Sequence, residues 1–183
     1  MKILKTPSEF TGEKSILALG MFDGVHVAHQ KLIRTAVSLG RERGVPAVVC
    51  TFDRHPLTVL APGRAPEMLT TQDERLKKFA LLGVDCALIT PFTRAFSEIP
   101  AGEYLDMLAR EMHPLAVVVG ANHRFGRFGD GDAALIAKKG RALGFDAIVL
   151  APVLDGADVV SSTLIRRLLR EKDFARADRL MRI

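Results

Sequence analysis

The sequence predicts an α/β fold: a doubly wound, Rossmann-like sheet of five parallel strands. Short apolar runs without polar alternation are what strands buried on both faces require. Longer segments with apolar residues at helical spacing separate those runs, and the two kinds alternate along the whole chain. Strand, helix, strand joined by right-handed crossovers gives a parallel sheet with helices on both sides.

The elements follow in order. Ser15–Gly20 reads as the first strand, and Gln30–Arg43 as a helix with Leu32, Ile33, Ala36, Val37 and Leu39 on one side and Gly44 as its stop. Ala47–Thr51 is the second strand. Thr71–Leu82 is a helix opened by a Thr71/Glu74 capping box. Asp85–Thr90 is the third strand, and Ala101–Met112 a helix entered through Pro100. Leu115–Gly120 is the fourth strand, Asp132–Leu143 a helix ended by Gly144, and Asp146–Ala151 the fifth strand. Short helices over Ser162–Arg170 and Asp173–Met181 close the chain, and the stretch 91–102 reads as a loop.

The 183 residues, 48% hydrophobic and 26% charged, are expected to form one domain, 1–183, and exclude a disordered or collagen-like chain. No apolar run reaches the length of a membrane span, and the first ten residues lack a secretory pattern, so the cytoplasm is the default expectation. Cys50 and Cys86 sit in apolar stretches and read as buried free thiols. The net charge is +5, and residues 161–183 hold seven Lys or Arg against three acids. Such an end suits an anionic ligand, or is only a solvated helix face. Nucleic acid is not expected, for want of an interleaved aromatic pattern.

Open parallel sheets bind ligands beyond the carboxyl ends of their strands, where strand order reverses. With the order 3-2-1-4-5, the first and fourth strands meet there. Gly20-Met21-Phe22-Asp23-Gly24-Val25-His26-Val27-Ala28-His29 follows one, and Gly120-Ala121-Asn122-His123-Arg124-Phe125-Gly126 the other. His26 and His29, three apart at a helix start, share a face with unpaired first-turn amides, a setting for phosphate. Zinc would need a third ligand, and His55, His113 and His123 are all distant in sequence. Ser161-Ser162-Thr163-Leu164-Ile165-Arg166 opens another helix and reads either as a second anion cradle or as a plain N-cap. Two cradles on one crevice suit a triphosphate. The Walker A, dinucleotide and nucleophile-elbow patterns are missing.

These segments resemble the FAD synthetase (FMN adenylyltransferase) module of prokaryotic bifunctional riboflavin kinase/FAD synthetases, within the nucleotidylyltransferase superfamily with its His-x-Gly-His turn. Phe22–His29, Thr51-Phe52-Asp53-Arg54-His55-Pro56, Gly120–Gly126 and Ser161–Arg166 match that family's motifs in order along almost the whole chain. Departures are Ala28 for the glycine between the histidines, His123 for an aromatic, Arg54 for a proline and Lys172 for a glycine. The chain stops at Ile183, near where the family runs into its kinase barrel, so riboflavin phosphorylation is not expected.

The resemblance implies ATP and FMN as substrates, giving FAD and pyrophosphate, with Mg²⁺ carried on the phosphates and no protein ligand assigned to it. It implies catalytic roles for His26, His29, Asn122 and Arg166. ATP would be held by Gly20, Phe22, Asp23, Gly24, His26, His29, Gly120, Ser161, Ser162, Thr163 and Arg166. Asp53, His55, Asn122, Phe125 and Tyr104 would hold FMN. Other readings stay open here: the same fold with another phosphate acceptor, such as pantetheine phosphate or nicotinate mononucleotide, or a module that binds nucleotide or flavin without turnover.

Overall fold

The computed structural model describes residues 1–183. Its sheet has six parallel strands, not five: β1 (Lys2–Leu4), β2 (Ser15–Leu19), β3 (Ala47–Phe52), β4 (Cys86–Thr90), β5 (Pro114–Gly120) and β6 (Asp146–Leu150), in the order β1-β4-β3-β2-β5-β6. The five expected strands take the expected order. The extra strand is an edge, pairing Lys2, Ile3 and Leu4 with Cys86, Ala87 and Leu88. Only Leu4 of it is buried, so three residues leave no periodic signal, and the strand exists through a partner far along the chain.

Successive side chains of the central strands feed opposite cores. Ile16 and Ala18 point to the face covered by α1 (Val27–Arg43), while Leu17 and Leu19 point to the other. Between α1 and β4 come a single helical turn, α2 (Leu57–Leu60), and α3 (Gln72–Leu81), which adds Phe79 to the first core. A second single turn, α4 (Arg94–Ser97), lies within the stretch expected to be a loop, and Thr93 caps it by accepting from the Phe96 amide. The opposite face is covered by α5 (Ala101–Met112) and α6 (Ala133–Leu143), through Leu105, Leu108, Met112 and Ile136. Each fully buried side chain of this size contributes about 1.5–3 kcal/mol. Cys50 and Cys86 are free and buried in the second core.

Beyond β6 a small antiparallel hairpin, β7 (Leu154–Asp155) with β8 (Asp158–Val159), precedes α7 (Ser162–Arg170) and α8 (Phe174–Met181). These two helices form a third apolar cluster around Ile165, Leu168 and Leu180, and it packs on Val27, Ala28 and Leu69. The C-terminal segment is thereby set over the start of α1.

Four arginines of the basic end, Arg167, Arg176, Arg179 and Arg182, are paired within the fold. Arg176 bonds Asp155 and Asp158, Arg179 bonds Asp155 at 2.9 Å and Arg167 bonds Asp158 at 2.7 Å. Arg182 pairs with Asp178. Asp155 and Asp158 are held below the usual carboxylate range by these guanidinium bonds, that of Arg176 first for Asp155 and that of Arg167 first for Asp158. The arginines thus pin the β7–β8 hairpin to α7 and α8. No helix is long and apolar enough to cross a membrane.

Candidate active site

A cleft of ≈ 810 Å³ opens at the carboxyl ends of β2 and β5, which are neighbours in the sheet where the strand order reverses. Its lining brings together residues from five separate segments. Gly20, Phe22, Asp23, His26 and His29 come from the turn after β2, and His55 from the end of β3. Gly120, Asn122 and Phe125 follow β5, with Tyr104 from α5, and Ser161, Ser162, Thr163 and Arg166 come from the start of α7. Gly24 and Asp53 do not reach it. Gly24 is a backbone hinge at φ +80°, with its amide donating to Thr70 Oγ1 at 3.0 Å. The Asp53 carboxylate accepts from the Phe92 amide and from Arg54, so it ties two loops together.

The turn after β2 is strained. Phe22 and Val25 have positive φ, 52° and 47°, on either side of Gly24. For a β-branched residue this costs on the order of 1–3 kcal/mol and persists only where neighbours over-determine it. They do here. Asp23 accepts from the Leu69 and Thr70 amides and pairs with Arg166, and Ser162 Oγ donates to the Asp23 carbonyl. Lys78 Nζ donates to the Gly24 carbonyl and Gln30 Nε2 to that of Val25. Both side chains also bond the chain end, at the carbonyls of Met181 and Arg182. Phe22 is fully buried, edge-on to His29 at 5.2 Å and to Phe79 at 5.8 Å, and so serves as a pedestal. The same bonds show Asp23 fixing the turn, with both of its oxygens already engaged.

His26 caps α1, its Nδ1 accepting from the His29 amide at 3.4 Å. The helix therefore starts at Val27, three residues before the expected Gln30, because a histidine does the work usually given to Ser or Asp. The two imidazoles stack at 3.7 Å, 17° from parallel. Burial pushes His26 down to about 4 and His29 well below its ordinary value, where the His26 charge adds to the effect. Both rings are neutral near pH 7. The cap bond occupies His26 Nδ1 as an acceptor, which puts the proton on Nε2. His29 Nδ1 is buried without a partner.

At the second cradle, Ser161 spends its hydroxyl on the Leu164 amide as the N-cap. Thr163 is exposed at the first turn, where amides lack helical acceptors. Arg166 is partly covered, and its Nε donates to the Glu67 carbonyl. His55 Nδ1 accepts from the Leu57 amide, and burial followed by the Arg166 charge lowers its pKa.

The remaining wall is aromatic. Phe125 lies 6.0 Å from Tyr104 and is stacked with His123 at 5.5 Å. Burial holds His123 at about 4, so it presents a neutral flat ring where the family pattern has an aromatic. Phe52, Phe92 and Phe96 continue the wall toward Tyr104. Sequence reasoning missed these three, since nothing in the spacing brings residues 52, 92 and 96 together. It also missed Arg75, although an arginine in register with Phe79 and Leu82 on the apolar side of a helix was a readable signal.

The family model described as FAD synthetase matches residues 9–164. The chain belongs to the FAD synthetase family. Bifunctional riboflavin kinase/FMN adenylyltransferases from Listeria monocytogenes and Escherichia coli are each 34% identical to it, over 96% and 95% of the chain. The chain spans about half the length of these relatives, 56% of each. A putative bifunctional riboflavin kinase/FMN adenylyltransferase from Geobacillus thermodenitrificans is 34% identical over 99% of the chain and 97% of its own length. Among solved structures, a Streptococcus pneumoniae protein described as a macrolide-efflux protein superposes with TM-score 0.84 at 27% identity, covering 98% of this chain and 60% of that one. The pantoate-beta-alanine ligase of Francisella tularensis shares the fold, with TM-score 0.60 at 15% identity over 100% of this chain and 78% of its own. The chain is therefore homologous to the FAD synthetase portion of larger two-activity enzymes.

Proposed function

We propose that this chain transfers the adenylyl group of ATP to FMN, giving FAD and pyrophosphate, and that residues 1–183 form one such transfer unit. The observation that carries the reading is the stacked, neutral His26/His29 pair at the start of α1. It shares one cleft with the start of α7 on one side and the aromatic wall on the other. An FMN phosphate oxygen attacks the α-phosphorus in line. The bond to the bridging oxygen breaks, and pyrophosphate leaves with its electron pair. Catalysis is then positioning and charge stabilisation.

His26 Nε2–H donates to phosphate oxygens whose charge grows in the transition state, with His29 beside it. The first-turn amides of α1 and α7 hold the β- and γ-phosphates, with Thr163 and Arg166. Asn122, exposed after β5, orients phosphate or ribose, while Tyr104 and Phe125 with their aromatic neighbours pack the flavin ring. Asp23, bonded to two amides and Arg166, has no free oxygen pair for a cation. No group of three His, Cys, Asp or Glu is placed to hold a metal. On this reading a divalent ion, Mg²⁺, is carried on the ATP phosphates and neutralises their charge. The test is incubation with ATP, FMN and Mg²⁺ followed by chromatography. FAD and pyrophosphate in equal amounts are expected. Binding of both substrates without product would overturn the reading in favour of a non-catalytic module.

A further inference from the structure

Arg75 occupies a core position of α3 and is 1% exposed. Its Nη1 donates to the Met21 carbonyl at 3.2 Å and to Thr51 Oγ1 at 3.4 Å, and its Nη2 to the Phe52 carbonyl at 3.0 Å. Its Nε has no partner. Every acceptor is neutral. Asp23 and Asp53 are the carboxylates whose field reaches it, and each is already bonded by another arginine, Arg166 and Arg54. Three guanidiniums thus share two carboxylates, one of which, Asp23, lies in the turn that carries His26. A buried charge left in this way opposes folding, and replacing buried ions by apolar groups of similar volume is often neutral or stabilising. Two things are gained in return. The Met21 carbonyl begins the strained turn and the Phe52 carbonyl ends β3, so one rigid fork locks turn to strand. The surplus positive charge also lies in a low-dielectric region next to an anion site, where it acts over a longer range than a solvated charge.

We propose that Arg75 is a positioning residue for the polyphosphate: it fixes the Gly20–His26 turn through Met21 and Phe52, and it supplies an unmatched positive charge that bound triphosphate or departing pyrophosphate completes. The identity of that anion rests on the adenylyl-transfer reading; the clamp and the surplus charge do not. Sequence alone assigns α3 only to the core, and no phosphate contact by Arg75 is required.

The test separates charge from clamp with Arg75→Gln, Arg75→Met and Arg75→Lys. Three readouts are compared with the unaltered chain: melting temperature, calorimetric binding of inorganic pyrophosphate, and kcat and KM for ATP in FAD formation. Gln and Met should weaken pyrophosphate about 10-fold, beyond whatever fall in melting temperature the released Met21 and Phe52 carbonyls cause. Lys keeps the charge but cannot span both carbonyls. It should hold pyrophosphate affinity and KM for ATP while kcat falls, by as much as about 10²-fold for a misplaced turn. Wild-type pyrophosphate binding in Arg75→Gln overturns the proposal. So does a loss in all variants that tracks melting temperature with no split between KM and kcat. If Gln and Met fail to fold, Lys decides alone: a fall in kcat at constant KM supports the proposal, and an unchanged kcat overturns it. If the unaltered chain makes no FAD yet binds pyrophosphate in an Arg75-dependent way, the acceptor reading falls and this inference stands.

Discussion

A neutral histidine pair at an anion site makes two demands on solution behaviour. His26 is held at about 4 against an ordinary 6.5, so between those values the unfolded chain binds more protons than the folded one. Stability is therefore highest above pH 6.5 and declines as pH falls toward 4, by on the order of 3 kcal/mol for this residue. Urea unfolding of the unaltered chain at pH 7 and pH 4.5 should show the decline, and His26→Asn, which can still cap α1, should reduce it by the His26 share, leaving the part due to buried His29 and His123. The second demand concerns catalysis. His26→Ala or His29→Ala should lower kcat by about 10²–10³ while FMN affinity barely moves, because the lost donor matters most when charge builds on the α-phosphate. Stopped-time FAD assays alongside FMN titrations check this, and near-normal turnover in either variant would remove that histidine from the role.

At the level of elements, the arginines of α7 and α8 divide into two groups with different consequences. Arg166 is paired with Asp23, a carboxylate only 2% exposed, so Arg166→Ala leaves a buried charge without its partner. A loss of about 3–5 kcal/mol is typical of such a break, together with a higher KM for ATP. Arg176 and Arg179 face the β7–β8 hairpin, and their alanine variants should leave KM for ATP unaltered at low and physiological salt. Equal effects at all three positions would mean that α7 and α8 form a diffuse anion surface. The family's glycine between the histidines is Ala28 here, and its methyl packs with the α7–α8 cluster. Ala28→Gly should therefore cost about 1 kcal/mol from helix propensity. Thermal melts give that value, and a tighter KM for ATP in the same variant would show that the methyl crowds the nucleotide.

Across the whole molecule, the last ten residues are tied to the chemistry. Lys78 and Gln30 each bridge the turn to the end of α8, at the carbonyls of Met181 and Arg182. Ending the chain at Asp173 removes those acceptors and uncovers Ile165 and Leu168. The expected outcome is a lower melting temperature and a kcat reduced by more than about 10-fold as the turn loosens. A truncated chain with normal kcat would show that the other bonds to the turn are enough.

What was legible in the sequence was whatever is encoded locally. The five long strands, most of the helix spans with the Thr71 capping box and the N-cap reading at Ser161, and the four motif segments were readable, because periodicity and capping act within a few residues. The order expected for those strands is the common one of doubly wound sheets, and the structure has it. Tertiary structure alone decided the features made of distant partners. The edge strand at Lys2–Leu4 exists only through pairing with residue 86 onward. Three arginines of the basic tail, Arg167, Arg176 and Arg179, are paired with Asp155 and Asp158, which a local charge count sets outside it. Asp23 and Phe22 became supports for the turn, and Arg75 a buried charge bonded to it, because burial and hydrogen-bond partners are settled only when the chain has closed around them.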